Sequence, residues 1–289
     1  MKDVACSIYY TDERYDRLFA CSRDSFLKFN GNECDLFEIN KDNKSVYDDM
    51  LTHYDSGTET FLMQYIYAYE IMMKYGYKKM IIMGADTITC SRLDEFLDDN
   101  SADVLGTLNY PCQESTEYWK SPIVNITLPD GRVVQDHMNI NADVVCFNNP
   151  ESLKKVIDLS IEHFGYFSIQ GGLNELAWTD KSYSVKIVDA PYPLSKVVYN
   201  ARSKGVFGTN MCNQNTPQYR WIVRDNKLFT EDGKQIKVWH YIEGLGGRPD
   251  EGFMEVLNGW IFKLFNADTK KFFKEQCDCK DFFEKPYFW

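Results

Sequence analysis

Lys78-Lys79-Met80-Ile81-Ile82-Met83-Gly84-Ala85-Asp86-Thr87-Ile88-Thr89-Cys90 is the stretch on which the reading of this chain turns. Residues 80–83 form a short apolar run between lysines and a glycine, the pattern of a fully buried strand. Asp86 follows just past the carboxyl end of that strand, where open α/β sheets place their ligand crevices. A carboxylate there suits a divalent cation held against a diphosphate, because Mg²⁺ and Mn²⁺ favour few protein oxygens plus phosphate. Taken alone, the same residue better suits a helix N-cap or a turn.

Upstream, residues 58–75 carry Phe61, Tyr65, Ala68 and Met72 at helical spacing and deliver the chain into the strand. Residues 4–10 predict a first strand. Thr11-Asp12-Glu13 then supplies a cap with first-turn acids, and residues 15–29 are helical in period. Residues 34–39 read as a second strand, and 42–54 as a loop or short helix. Downstream, 91–99 predicts a short helix, 104–108 a strand, and 109–127 a long loop of the kind that carries specificity. Residues 126–128 and 132–134 flank Pro129-Asp130-Gly131, a turn. A buried strand at 142–147, helices over 150–163 and 169–178, and a strand at 185–188 follow. Residues 221–239 predict a hairpin turning at Glu231-Asp232-Gly233-Lys234, residues 252–265 a helix, and 281–289 an aromatic tail. Strand–helix alternation followed by a less regular half predicts an α/β fold around a largely parallel sheet.

At 289 residues the chain is long enough for one large domain, or one domain with an appendage. A net charge of −11 argues against a protein built mainly to bind nucleic acid or anionic membrane. The nine cysteines are odd in number and lack a framework spacing. The amino terminus runs straight into a strand pattern without a signal-peptide core, and no apolar run approaches the ~18 residues of a membrane span. Together these features predict free thiols in a reducing, cytoplasmic setting. Cys277 and Cys279, without a histidine or a second cysteine pair nearby, read as structural.

Four further stretches give the strand its company. They are Tyr10-Thr11-Asp12-Glu13-Arg14-Tyr15 after the first strand, Asn141-Ala142-Asp143-Val144-Val145, Gln170-Gly171-Gly172-Leu173-Asn174, and His240-Tyr241-Ile242-Glu243-Gly244 running to Arg248-Pro249. With Met83-Gly84-Ala85-Asp86-Thr87, in that order, the set resembles the nucleotide-sugar glycosyltransferases of the GT-A fold. The glycogenin and bacterial lipopolysaccharide galactosyltransferase group is the most similar. The resemblance spans roughly residues 4–250 and implies a Rossmann-like, mostly parallel sheet flanked by helices. It divides the chain into a catalytic domain over 1–250 and a C-terminal helical, aromatic extension over 251–289 packed on it.

The resemblance also implies roles. Thr11 and Tyr15 match the residues that frame the nucleotide base, with Tyr9 on the adjoining strand; a tyrosine ring can stack on a uracil face. Tyr15 serves equally as a core aromatic on an amphipathic helix. Ala85-Asp86 holds the place of the family's Asp-x-Asp motif, with Asp86 as its second aspartate and Gly84 in place of the first. His240 resembles the histidine that completes the metal shell, or is an ordinary buried histidine at a strand end. Gly244 and Arg248 lie near the family's phosphate-binding lysine, Arg248 two residues later. An imidazole beside a carboxylate points to Mn²⁺ over Mg²⁺. Asn141 matches the asparagine that contacts the donor sugar. Asp143 stands where glycine is common, and suits charge compensation for Gly84, an acceptor hydroxyl, or a structural strand edge. Gln170 matches the amide beneath the anomeric carbon, while the aspartate before it is here Ile169. The helix over 58–73 has no basic residue where relatives use one, and Arg92, Arg202 and Lys204 are the candidate substitutes.

The implied activity is metal-assisted transfer of a sugar from a nucleoside diphosphate, UDP first, to a hydroxyl acceptor with retention of configuration. The acceptor is open between a glycan, a protein side chain and a hydroxymethylated base. The acidic balance disfavours nucleic acid unless Lys196, Arg202 and Lys204 form a basic lip. Phe282, Tyr287 and Trp289 suit partner or core packing better than a membrane interface. A rival reading, motivated by Gly84 and Ile169, is a silent member of the fold that only binds a nucleotide sugar. A nucleotidyltransferase ranks last, since residues 11–20 lack the glycines of a phosphate loop.

Overall fold

A computed structural model describes residues 2–11, 16–54, 60–108, 125–127, 133–135, 140–164, 169–188, 198–200, 221–230, 233–240 and 267–279. The chain divides into two compact units. One comprises Met1–Thr11, Gly31–Gly84 and Asp94–Pro193, the other Asp12–Asn30, Ala85–Leu93 and Leu194–Trp289.

The first unit is built on β1 (Val4–Tyr9), β2 (Cys34–Ile39), β3 (Lys79–Gly84), β5 (Val104–Leu108), β8 (Ile140–Phe147) and β9 (Val185–Ile187). The numbers between belong to β4 (Thr87–Thr89), β6 (Asn125–Thr127) and β7 (Val133–Gln135). The six strands make one sheet in the order β2-β1-β3-β8-β5-β9. β1 runs parallel to β2 and β3, and β5 parallel to β9, whereas β8 is antiparallel to both neighbours. This is the α/β, mostly parallel sheet that the sequence predicts. The reversal of β8 is what the sequence does not announce, because a buried strand reads alike in either direction.

That reversal sets the functional geometry of this unit. Tyr9 lies opposite Gly84, so β1 and β3 end together at their carboxyl ends. Met83 pairs with Val144, so the amino-terminal residues of β8, Ile140 to Asp143, reach that same end of the sheet.

β3 is buried at every position, as its apolar run requires. Its one cation, Lys79, is buried too, and its ammonium donates to the carbonyls of Phe96 (2.6 Å), Leu97 (3.2 Å) and Asp99 (2.9 Å). Three donors meet three carbonyls at and just past the end of α4 (Asp94–Leu97), a side-chain cap that complements the helix dipole.

After the short helix α2 (Lys44–Asp48), α3 (Thr60–Tyr75) is buried all round from Leu62 to Met72. It carries two polar exceptions, each satisfied. Gln64 donates its amide to Ser7 O (3.2 Å) and Met83 O (2.8 Å), tying the helix to β1 and β3 near their ends. Glu70 accepts from Thr52 N (3.1 Å), Thr52 Oγ1 (2.8 Å) and His53 N (2.8 Å), with His53 Nδ1 at 3.1 Å. Burial pushes the Glu70 carboxyl up, but the hydrogen bonds from His53 and Thr52 outweigh it and hold the pKa below its ordinary 4.5. The stability it contributes is therefore complete above that value and lost as pH falls through the depressed folded one. Glu70→Gln, which cannot accept from all these donors, is expected to destabilise by about 1–3 kcal/mol at pH 7. The gap from wild type should narrow on acidification, as chemical denaturation at pH 7 and below pH 4 would read.

Helix α5 (Pro150–Leu159) starts at an Asn149 cap that accepts from Ser152 N, with Pro150 in its first turn. It continues into a π-helical turn, Ser160–Phe164, where the sequence predicts unbroken helix. α6 (Ile169–Glu175) passes likewise into a π turn at Leu176–Asp180. β6 and β7 pair antiparallel about the predicted turn, whose residues lie outside those described.

The second unit holds α1 (Asp16–Asn30) and a three-stranded sheet in the order β10 (Val198–Asn200), β13 (Val238–His240), β4. It also holds the hairpin of β11 (Trp221–Arg224) and β12 (Lys227–Thr230), and helix α7 (Ala267–Gln276). The hairpin turns at Asp225-Asn226, both at positive φ (52° and 55°), not at residues 231–234. A two-residue hairpin loop needs left-handed backbone at both positions, which Asp and Asn tolerate. Gly233, at φ 85°, makes a second reversal that returns Gln235 beside Phe229. β13 leaves the predicted hairpin altogether and pairs with β4.

The seven described cysteines are all free and buried. Burial, then contact with the Cys90 and Cys21 thiols, pushes Cys277 and Cys279 well above the ordinary thiol range, so these sulfurs are packing groups. No helix among the described residues is long and apolar enough to cross a membrane.

Candidate active site

Asp86 and His240 are brought together by a short ladder. β4 and β13 run antiparallel with Thr87 opposite His240, so the residue before β4 lies beside the last residue of β13. His240 Nε2 sits 3.2 Å from Asp86 Oδ1. α1 holds β4 in place through its small polar face. Ser22 Oγ and Thr87 Oγ1 are 3.1 Å apart, Ser25 Oγ accepts from Thr89 N at 3.0 Å, and Asn30 Oδ1 accepts from Leu93 N at 3.0 Å. From the other side Cys90 N donates to Lys237 O at 2.6 Å.

The imidazole is fully buried, while the carboxylate keeps a fifth of its surface exposed. Burial pushes the Asp86 carboxyl up, but the charge and hydrogen bond of His240 outweigh it and hold the pKa below the ordinary value. Asp86 is thus an anion at neutral pH with one face open. A cation bound at roughly 2.1 Å by two adjacent octahedral ligands would hold them ~3 Å apart, so the 3.2 Å spacing fits such a pair. The mixed oxygen and nitrogen donors suit Mn²⁺ or Mg²⁺, the imidazole favouring Mn²⁺. Among the described residues no three His, Cys, Asp or Glu side chains gather as a metal cluster. The pair alone is what these residues offer.

In the first unit, Tyr9, Asn141 and Asp143 lie at the carboxyl end of β1 and β3, Thr11 follows β1, and Gln170 lies on α6. Tyr9 is buried and packs at 5.8 Å from the Tyr67 ring, which in turn lies 5.9 Å from Tyr47. Burial pushes its phenol up, and a hydrogen bond to Thr11 partly offsets this. Asn141 is buried, and its Oδ1 accepts from Asp143 N at 2.6 Å, so the asparagine shapes the backbone that carries the unexpected carboxylate. Tyr65 OH donates to Ala142 O at 2.6 Å, pinning the residue between them. Gln170 is buried on the first turn of α6. Ile169 packs in the hydrophobic core, so that position offers no polar group to a sugar.

Ala85 is buried before Asp86, and Arg92, in the same unit, is half-buried. Tyr15, Gly244 and Arg248, the candidate basic residues Lys196, Arg202 and Lys204, the predicted helix over 252–265 and the aromatic tail lie outside the described residues.

Sequence reasoning missed three features that build these sites. The strand β4 is only three residues long and follows another strand at once, so it reads as a loop. Gly172 and Asn174 were visible as parts of a motif but carried no assigned task. An added Cβ at Gly172 would stand 2.1 Å from Ser160 Oγ, 2.6 Å from Val156 O and 2.8 Å from Ser160 N. Only glycine permits α6 to lie this close to the end of α5.

No protein-family model matches the chain, and the curated proteins contain no match in sequence. By the course of its backbone the chain is similar to glycosyltransferases of known structure. Three of them are the apo bifunctional glycosyltransferase WbbM, the galactosyltransferase LgtC in complex with donor and acceptor sugar analogues, and a glycosyltransferase involved in glycosylation of the major capsid of PBCV-1. WbbM is 13% identical with a TM-score of 0.48 over 94% of this chain and 51% of its own, so this chain spans about half its length. LgtC is 13% identical, TM-score 0.46, over 93% of this chain and 99% of its own. The PBCV-1 protein is 10% identical, TM-score 0.46, over 89% and 98%.

Proposed function

We propose that this protein is a glycosyltransferase that moves a sugar from a nucleoside-diphosphate donor, UDP first, to a hydroxyl acceptor with the help of Mn²⁺ or Mg²⁺. The observation that carries the reading is the Asp86–His240 pair. Two residues singled out from separate sequence motifs, far apart in the chain, lie 3.2 Å from each other.

Asp86 and His240 would hold the cation, with the diphosphate completing its shell. Bound there, the cation supplies Lewis-acid stabilisation of the charge that develops on the leaving phosphate oxygen. The chain's own residues do the rest. Asp86 would be the anionic ligand of the pair, and His240 would bind as a neutral imidazole. Tyr9, Thr11 and Tyr15 are assigned to the nucleotide base, Ala85 to the nucleotide, and Gly244 and Arg248 to its phosphates. Asn141 and Asp143 are assigned to sugar or acceptor hydroxyls, and Gln170 to the anomeric centre, where positive charge builds as the bond to phosphate breaks.

Calorimetry tests the binding half of this reading. UDP is expected to bind saturably in the presence of Mn²⁺ and at least tenfold more weakly in excess chelator. GDP should bind more weakly than UDP. Equal UDP binding with and without metal would contradict the assignment of Asp86 and His240.

The substitutions at Gly84 and Ile169 bear on the sugar. The resemblance would place carboxylates at positions 84 and 169, which are Gly84 and Ile169 here, so a pentosyl or deoxysugar donor is the better fit. A site built to hydrogen-bond a hydroxyl discriminates strongly, whereas an apolar one tolerates its absence. We expect kcat/KM for such a donor to exceed that for UDP-glucose by about tenfold or more. A kinetic preference for UDP-glucose would exclude this donor class.

A further inference from the structure

Asn174 is fully buried on α6, and its side-chain amide is used completely. Oδ1 accepts from the backbone N of Ile140 at 2.8 Å and from Trp178 Nε1 at 3.1 Å. Nδ2 donates to Ile140 O at 3.3 Å and to Gln170 O at 2.7 Å. Two acceptor sites and two donor hydrogens, all four engaged, is what a primary amide can offer.

The arrangement does something a generic buried asparagine does not. The amide reads both the N–H and the C=O of Ile140, as a neighbouring strand would, at the residue immediately before Asn141. With its remaining donor it grips the carbonyl of Gln170, one turn back on its own helix. One side chain therefore fixes the start of β8 against the turn that carries Gln170. Aspartate would aim a carboxylate at two carbonyl oxygens, and leucine would leave the buried Ile140 N–H and C=O without these hydrogen bonds.

We infer that Asn174 is a positioning residue for the transfer reaction, setting Gln170 relative to Asn141. The inference rests on the glycosyltransferase reading and goes beyond it, because Asn174 touches no substrate under that reading. Group placement matters steeply in such chemistry: a displacement of about 1 Å can cost about 100-fold in rate.

The test is a double-variant cycle on the full chain, reading metal-dependent UDP release from the preferred donor, UDP affinity and melting temperature. The proteins are wild type, Asn174→Asp, Gln170→Ala and the double variant. Asn174→Asp is expected to lower kcat by about 10–100-fold while leaving UDP affinity within about twofold. The double variant should be no more than about twofold slower than Gln170→Ala alone, since Asn174 acts through Gln170. If Asn174→Asp does not fold, Asn174→Ser, which retains a small hydrogen-bonding group, takes its place in the same cycle. Multiplicative losses, an unchanged kcat with a lowered melting temperature, or a Gln170→Ala variant as fast as wild type would each overturn the inference. Wild-type protein that releases UDP from no donor would instead overturn the glycosyltransferase reading, and this inference with it.

Discussion

Asp86→Ala is expected to reduce metal-dependent UDP release by about 100-fold or more, the scale on which loss of an electrostatic stabiliser of the leaving group is felt. The side chain is the anionic half of the Asp86–His240 pair and keeps a fifth of its surface exposed. His240→Ala should act in the same direction but more through affinity, raising the Mn²⁺ concentration for half-maximal rate by about tenfold or more, since a charge is kept and a neutral ligand lost. The fold should survive both changes, because β4 is held by Ser22 and Ser25, and the segment after it by Asn30, and not by this pair. An Asp86→Ala protein that melts as wild type and releases UDP at the wild-type rate would remove the carboxylate from the mechanism.

Gly172→Ala carries the largest expected effect on stability. The new methyl would lie 2.6 Å and 2.8 Å from backbone atoms of Val156 and Ser160, which cannot rotate away. Overpacking of this kind costs about 1–3 kcal/mol and occasionally more, and contacts with backbone place it at the upper end. For a chain of this size about 3 kcal/mol lowers the melting temperature by roughly 6–12 °C. If the helix shifts instead, the shift moves Gln170 and Asn174 with it, so activity should fall by about tenfold or more even well below the melting transition. Ser160→Gly should not rescue the variant, because it removes the hydroxyl but leaves the two backbone contacts. Rescue by Ser160→Gly would show that the hydroxyl alone sets the approach.

Much of this could be read along the chain. The buried run over residues 80–83, the strands over 4–10 and 34–39 and the helix over 58–75 were legible because each carries an undivided periodic signal with a cap or glycine at its edge. The pairing of Asp86 with His240 was legible from the resemblance, as two ligands of one metal shell, and not from the spacing of the motifs. The contact depends on β4, whose three residues between Asp86 and Cys90 carry too little pattern to identify. The direction of β8 was likewise hidden, since burial on both faces erases the alternation that orients a strand. Yet that direction brings Asn141 and Asp143 to the ends of β1 and β3. The hairpin turn was misplaced because Asp232-Gly233 is the stronger turn signal, while Asp225-Asn226 supplies the two left-handed residues that a tight hairpin uses. Gly172 and Asn174 define the limit. Their tasks lie in distances to Ser160 and Ile140, which no spacing along the sequence encodes.

The most direct measurement is UDP release from a panel of UDP-hexoses and UDP-pentoses by the wild-type protein, with Mn²⁺ and with excess chelator, in water and with candidate acceptors. The account predicts that one donor is consumed in preference to the others, slowly in water and faster with an acceptor, and only when the metal is present. Saturable UDP binding without release from any donor would contradict it and leave a protein that holds a nucleotide sugar without transferring it.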